Sequence, residues 1–322
     1  MLPLQNLSVL VTVFNKEPNV SRLSKNLIEL RNNGSEIIVI DDGSTDNSFS
    51  IISQSISNKI NFKIFQTSNN GSAAARNLAL SMATKEYIVF LDADDSIDST
   101  QLIPALNLMS SLDVDLGKFP YYKNGLLKDI TDETKSFKLN DSKTNRLIFM
   151  NGLGYWRFIY KTKSVQNRFC FLPTFSQLGG RKFILDDLFW LILLGSSKLK
   201  FYNFNDFAFY RYDLDFAEMP PEEIEKRGRE FQEQFTYFPL AFVYLFSKMK
   251  NGDYDKIWAI KYYLNYVSNL IAMLNWKYFK KYFVNVCKSN LHSSYSLISF
   301  LYSLFYVLPI WLLKRTRLRM RR

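Results

Sequence analysis

A length of 322 residues predicts two lobes, and 47% hydrophobic with 22% charged residues makes the chain globular and excludes a disordered protein. A single histidine, His292, and two distant cysteines, Cys170 and Cys287, exclude a histidine-based zinc site and a disulfide framework, disfavour a Ser-His-Asp triad and fit a reducing compartment. The net charge of +11 is concentrated in Lys314, Arg315, Arg317, Arg319, Arg321 and Arg322, which supply more than half of it, so an anionic membrane surface is the expected partner and nucleic acid is not.

The chain enters a strand over residues 8–13, with no basic region or cleavage site before it, so no signal peptide is expected. Phe14-Asn15-Lys16-Glu17-Pro18 breaks that strand. Over residues 20–31, Val20, Leu23, Leu27 and Leu30 recur at helical spacing, and Asn32-Asn33-Gly34 stops the helix. Residues 36–40 form a second, buried strand that ends in Asp41-Asp42-Gly43-Ser44-Thr45-Asp46. A helix starts near Asp46 with Ile51, Ile52 and Ile56 inward. Residues 62–65 are a third strand, Asn69-Asn70-Gly71-Ser72 a turn, and residues 73–84 a helix. The fourth strand, residues 87–91, is apolar throughout and runs straight into Asp92-Ala93-Asp94-Asp95. This βαβαβαβ alternation predicts a parallel sheet with helices on both faces. No Gly-x-Gly-x-x-Gly follows the first strand and no Walker motif occurs, which disfavours a dinucleotide-binding domain and a P-loop NTPase.

Asp92 and Asp94 are two apart and share a face on an extended backbone. Neighbouring carboxylates repel unless a cation neutralises them. Oxygen-only ligands suit Mg2+ or Mn2+, which take further ligands from a substrate's phosphates. Alone, Asp-x-Asp also reads as an acidic turn. Its company weighs against that. The loops after strands one, two and four meet at the carboxyl edge of the sheet, where such folds bind ligands. The helix after Asn69–Ser72 brings its N-terminus nearby, a place for anionic groups.

Taken in order, Thr12-Val13-Phe14-Asn15-Lys16-Glu17, Val39-Ile40-Asp41-Asp42-Gly43-Ser44-Thr45-Asp46, Asn70-Gly71-Ser72-Ala73-Ala74-Ala75-Arg76-Asn77 and Phe90-Leu91-Asp92-Ala93-Asp94-Asp95 resemble the family-2 inverting glycosyltransferases of GT-A fold. That family often has Pro where Thr12 stands, a mild departure at a position whose contact is largely through backbone. The resemblance implies that Thr12, Val13, Phe14 and Glu17 line a nucleotide pocket. It has Asp41 accept a hydrogen bond from a uracil ring with Asp42 beside it, Gly71 allow close approach of the nucleotide, and Arg76 lie near the base or diphosphate. Asp92, Ala93 and Asp94 would hold ribose and metal, with Asp92 and Asp94 as the metal ligands. Two local alternatives stay open: Arg76 as a surface helix residue, and Asp42 bonded to its own turn.

Further along, a helix over residues 102–109 and a strand over residues 114–119 are expected, and the polar residues 120–145 read as a loop over the site. Gly154-Tyr155-Trp156-Arg157-Phe158-Ile159-Tyr160-Lys161 reads as an aromatic strand. The resemblance leads it towards the acceptor side, with Trp156 as an acceptor or support residue; a buried aromatic strand is the alternative. Asp186-Asp187 opens an apolar run at helical spacing, Leu188, Trp190, Leu191 and Leu194, so an N-terminal capping pair is one reading. The resemblance makes Asp187 the catalytic base, with Asp186 as support where the family typically has Glu. Residues 198–202 and 207–212 resemble closing strands, and Tyr210-Arg211-Tyr212 the family's aromatic-basic ending, with Arg211 as support. A His that binds metal here in some members is absent.

Residues 222–284 read as helices, opened by Pro220-Pro221. From Ser289 to Leu313 no Asp, Glu, Lys or Arg occurs, a length that could span a bilayer but is diluted by serines and Pro309. The resemblance implies a nucleotide-sugar substrate on the cytoplasmic side, and the Arg-rich segment belongs on the same side by the positive-inside rule. One span cannot satisfy both, so re-entrant or in-plane helices at the cytoplasmic face of the membrane are expected. A buried helix pair with a solvated tail is the alternative.

The expected fold class is α/β: GT-A, a Rossmann-like, mostly parallel sheet with helices on both faces, plus a C-terminal helical membrane-associating region. Residues 1–98 are the nucleotide-sugar-binding half, residues 99–215 the acceptor-binding half, and residues 216–322 the helical region. The resemblance implies inverting transfer from a nucleotide-sugar donor, a UDP-sugar, to a hydroxyl of a lipid-linked or cell-envelope glycan acceptor, with Mn2+ or Mg2+ at Asp92-x-Asp94. A nucleotidyltransferase on a similar sheet wants a Gly-rich, Arg-bearing loop that Asn15-Lys16-Glu17-Pro18 does not supply. A non-catalytic membrane-bound glycan-binding relative would not need Asp92, Asp94 and Asp187 intact.

Overall fold

Strands β1 (Leu7–Val13), β2 (Glu36–Asp41), β3 (Phe62–Gln66) and β4 (Tyr87–Asp92) form a parallel block. β1, β2 and β4 are buried along almost their whole length, which requires a layer on each face. On one face, Val9, Val11, Ile37, Val39, Val89 and Leu91 join one core with the apolar stripes of α1 (Glu17–Asn32), α2 (Ser48–Ile56) and α4 (Ser99–Leu112). Helix α3 (Ser72–Met82) packs against β1 and β2 and buries Ala75 and Ala79. The structure, a computed structural model, describes residues 3–56, 62–128, 135–138, 155–166, 197 and 199–212. It also describes residues 222, 225, 229, 232, 233, 236, 249, 277, 278, 280, 281, 284 and 285.

The sheet continues with short strands from separate parts of the chain. In spatial order they are β3-β2-β1-β4-β10-β6-β11-β9, where β6 is Leu116–Lys118, β9 Lys135–Lys138, β10 Phe158–Lys161 and β11 Lys200–Asn203. β10 runs antiparallel between β4 and β6, and β9 runs antiparallel to β11, so the sheet is mostly parallel, as expected. A smaller sheet, β5-β12-β7-β8, is formed by Ser96–Ile97, Tyr210–Tyr212, Tyr121–Lys123 and Leu126–Lys128. A one-turn helix, α5 (Thr162–Val165), follows β10.

Three expectations are corrected. Residues 121–128 are not a loop but a hairpin, and residues 135–138 are a strand of the main sheet. The hairpin turns on Asn124 (φ 49°) and Gly125 (φ 75°), two positive-φ residues whose twist matches that of the strands they join. The aromatic segment begins with a single 3-10 turn, Tyr155–Arg157, and becomes extended only at Phe158. Helix α1 starts at Glu17, because Pro18 in its first turn lacks only an N–H that has no helical partner there.

At the amino end of β2, buried Glu36 ties three strands together. It accepts hydrogen bonds from Ser8 Oγ (2.6 Å), Lys63 Nζ (2.7 Å), Thr84 N (2.9 Å) and Thr84 Oγ1 (2.9 Å). Burial acts to raise its carboxyl pKa, but the bonds from Lys63, Ser8 and Thr84 outweigh burial and hold it below the ordinary carboxylate range. Among the described residues no helix is long and apolar enough to cross a membrane. Residues 289–322 lie outside the described residues.

Candidate active site

The register places Val13 beside Asp41 and Thr12 beside Asp92, so the loops after β1, β2 and β4 leave the sheet at one edge. The first two are stitched together. Asn15 takes a left-handed backbone that Asn tolerates. Its Oδ1 accepts from Thr45 N (2.8 Å), and its own N–H donates to Ser44 Oγ (3.0 Å). Glu17 accepts from Asn47 N (3.1 Å) and Asn47 Nδ2 (2.9 Å), while Glu17 N donates to Asp46 (3.1 Å). Glu17 thus braces the loop pair. Phe14, 41% exposed, forms the lip, and Thr12 is half-buried. Val13 and Ala93 put their side chains into the core and can offer a ligand only backbone.

Asp41 is buried at the carboxyl end of β2. It accepts from Ser44 N (2.8 Å), Ser44 Oγ (2.6 Å) and Gln66 Nε2 (3.2 Å). Asp42 reaches past its own turn to the next one and accepts from Asn70 N (2.8 Å) and Gly71 N (2.9 Å). Gly71, at φ 93°, takes a backbone that side chains avoid just before α3. At Gly43 (φ +74°), an added Cβ would stand 2.8 Å from Asn69 N, so only glycine lets these two loops close on each other.

The acid loop is held from several sides. The Tyr155 hydroxyl lies 2.7 Å from both Asp92 carboxylate oxygens, and Arg76 Nη2 donates to Oδ1 at 3.2 Å. Arg76 is buried, with its guanidinium 4.2 Å above the Tyr155 ring, so it is not a surface helix residue. Tyr155 is itself fixed by Phe90, edge-on at 5.5 Å, and by Tyr160, whose hydroxyl donates to the Tyr155 carbonyl (2.7 Å). Asp94 forms an ion pair with Lys16, and its backbone carbonyl accepts from Arg22. Asp95 is buried and accepts from the Tyr210 hydroxyl (2.7 Å), which also receives Asp92 N–H at 3.4 Å. Burial, then the charges of Asp95 and Asp92, push the Tyr210 pKa well up, so its hydroxyl stays a donor.

A wall of aromatic side chains stands beside the acid loop. Trp156 stacks on Tyr210 at 4.7 Å and meets Tyr121 edge-on at 4.9 Å. Arg157 lies 4.6 Å above the Tyr121 ring, and Lys118 is buried in the adjacent strand β6. Burial, aided by the Arg157 charge, drops the Lys118 pKa to about 7. Arg211 supports the wall from outside through Asp98 (3.0 Å) and the Tyr122 ring (5.0 Å).

Among the described residues no group of three or more His, Cys, Asp or Glu could hold a metal ion by itself. Asp94 is the better of the two expected ligands. Its carboxylate is 31% exposed at the mouth, where a hard ion could complete its shell with water or phosphate oxygens. Asp92 is already engaged by Tyr155 and Arg76. The residues therefore fit a divalent ion whose shell a substrate completes. Asp186 and Asp187 lie outside the described residues. Tyr155, Lys16 and Arg22 are site residues that the sequence did not single out, although Tyr155 adjoins Trp156 and Lys16 lies inside the first motif.

Residues 1–349 of Staphylococcus aureus TarS share this fold, with a TM-score of 0.68 at 17% identity over 98% of this chain and 92% of that one. The same protein in complex with UDP-GlcNAc gives a TM-score of 0.66 at 18% identity, with the same coverage. The fold is thus GT-A-like α/β. The glycosyl transferase family 2 model matches residues 8–185, more than half of the chain, and the chain belongs to that family. An uncharacterized glycosyltransferase of Haemophilus influenzae is 39% identical over 104 residues, 32% of this chain and 42% of the relative. Cholesterol galactosyltransferase of Borreliella burgdorferi is 40% identical over 96 residues, 30% of this chain and 26% of the relative. Poly(ribitol-phosphate) beta-glucosyltransferase of Bacillus spizizenii is 33% identical over 145 residues, 42% of this chain and 23% of the relative. The matched stretch spans less than half the length of each of these relatives.

Proposed function

We propose that the protein is an inverting glycosyltransferase. It moves a sugar from a UDP-sugar to a hydroxyl of a lipid-linked or cell-envelope glycan at the cytoplasmic face of the membrane. The observation that carries this reading is the meeting of buried Asp41, the Gly71 turn and the Asp92–Asp94 loop at the carboxyl edge of a parallel sheet. A UDP donor is supported by the structural neighbour's complexes with UDP-GlcNAc and with UDP. An envelope acceptor is supported by relatives named for poly(ribitol-phosphate).

Asp41 offers the base an acceptor at the carboxyl end of β2. Asp92, oriented by Tyr155 and Arg76, would hold the ribose. Asp94 would hold Mn2+ or Mg2+, with Asp92 beside it; such an ion, when bound, neutralises charge on the leaving diphosphate. Asp187 is assigned as the base that takes the proton from the acceptor hydroxyl, a role that rests on its place in the family motif.

Release of UDP from a panel of UDP-sugars, with and without Mn2+, tests the reading. Asp187→Asn is expected to bind donor like the wild type and lose transfer by more than about 100-fold, because a general base acts on the chemical step. Turnover within about tenfold of wild type, worth ~1.4 kcal/mol, would move the base elsewhere. Release of a sugar 1-phosphate in place of UDP would mean uridylyl transfer and make the protein a nucleotidyltransferase.

A further inference from the structure

The acid loop carries three carboxylates in four residues, and each is met by a group from elsewhere in the fold. Two of these partners are locked. Arg76 and Tyr155 on Asp92 are buried and stacked on each other, and Tyr210 on Asp95 is fully buried. The third is not. Lys16 and Asp94 are 36% and 31% exposed, so their pair forms at the mouth of the cleft. The Lys16 backbone is fixed, because its N–H donates to Ser48 Oγ (2.9 Å) and it caps the N-terminus of α1. The ammonium therefore swings on a flexible stem from a firm base. A divalent ion at Asp94 and an ammonium on the same carboxylate repel each other, so one must leave for the other to bind.

We propose that Lys16 is the resident counter-ion of Asp94, which gives way to the divalent ion when the donor binds and then closes on the donor's diphosphate. This rests on the assignment of the metal to Asp94. Three consequences follow from the charges. Without nucleotide, metal binds weakly, because it must displace a cation. With nucleotide, the displaced ammonium gains a dianionic partner, so metal and nucleoside diphosphate each strengthen the other's binding by the same factor. The loop keeps its charge balance whether or not metal is bound.

Mn2+ binding to the full chain, followed by the electron paramagnetic resonance of free Mn2+ with and without UDP, tests this. Lys16→Met and Lys16→Gln keep the backbone bond to Ser48. Both are expected to bind Mn2+ alone roughly two- to fivefold more tightly than the wild type, the order of one partly solvated charge pair. Both should lose a similar factor of the enhancement that UDP confers. Lys16→Arg keeps the charge and should behave as the wild type. Equal Mn2+ affinity of Lys16→Met, Lys16→Gln and the wild type without UDP would overturn the proposal. Asp94→Asn separates the two ideas. If it abolishes Mn2+ binding with UDP while the Lys16 variants show no gain, only the role of Lys16 falls. If it leaves Mn2+ binding unchanged, the metal assignment falls and takes Lys16 with it.

Discussion

Tyr155 reaches across 63 residues of sequence to place its hydroxyl on both oxygens of Asp92. It also carries the Arg76 guanidinium on its ring, so one side chain orients the acid and the cation beside it. Tyr155→Phe keeps the ring and the packing against Phe90 but leaves Asp92 to Arg76. A hydrogen bond to a charged group contributes about 1.5–3 kcal/mol, and partial exposure of Asp92 lowers that to about 1–2 kcal/mol. Because the bond is made without donor, its loss is expected to lower the thermal midpoint by a few degrees, and donor affinity, measured by calorimetry with a UDP-sugar, is expected to fall as Asp92 loses its orientation. Unchanged affinity would remove Tyr155 from the site. At this scale the place of Asp41, Asp42, Asp92 and Asp94 at the carboxyl ends of β2 and β4 was legible in the sequence, because each pair follows an apolar run. Tyr155 was not, since a pairing over such a distance leaves no local pattern and its bulkier neighbour Trp156 draws the eye. Whether Asp42 held its own turn or the next one was also beyond local reading, because both use the same carboxylate and differ only in which loop stands nearer.

The elements were legible where pattern and burial agreed. Strands β1, β2 and β4 are six or seven residues long, largely apolar and bounded by turn residues, and helix α1 carries a clear stripe. The strands expected over residues 114–119 and 198–202 appear as β6 and β11, whereas β7, β8 and β9 are only three or four residues long, too short for a period to show. Asn124-Gly125 was a readable hairpin signal inside a stretch whose polarity argued for a loop. Glu36 is the element-scale prediction. Its folded pKa lies below its ordinary value of 4.5, so its contribution is fully present above the unfolded value and is lost as pH falls through the folded one. Glu36→Gln removes the charge that Lys63 and Thr84 satisfy and is expected to cost about 1–3 kcal/mol near neutral pH. Denaturant unfolding from pH 7 down to about 3 should show the variant's deficit shrinking as the wild-type carboxylate is protonated. A deficit that stays constant across that range would mean that packing, not charge, holds this corner. UDP affinity should not change, because Glu36 stands at the opposite end of β2 from Asp41.

At the scale of the whole chain, the assigned site residues and the basic segment lie far apart in the sequence. All the residues assigned to chemistry precede residue 213, while residues 289–313 carry no Asp, Glu, Lys or Arg and residues 314–322 carry six basic ones. We expect residues 289–322 to bring the enzyme to an anionic bilayer, where a membrane-resident acceptor would be found. Near such a surface each Lys or Arg contributes on the order of 1 kcal/mol, which fades within a Debye length, and the uncharged run adds apolar burial that salt does not screen. Removal of residues 289–322 should therefore release the chain from vesicles containing phosphatidylserine or phosphatidylglycerol and leave transfer to a short soluble acceptor largely intact. Raising the salt should weaken full-length binding less completely than truncation does, because only the electrostatic part is lost. Co-sedimentation of both chains over a salt series reads all three effects. Equal binding of the truncated and full-length chains would place the membrane contact elsewhere, and loss of soluble transfer on truncation would mean that the segment supports the catalytic lobe.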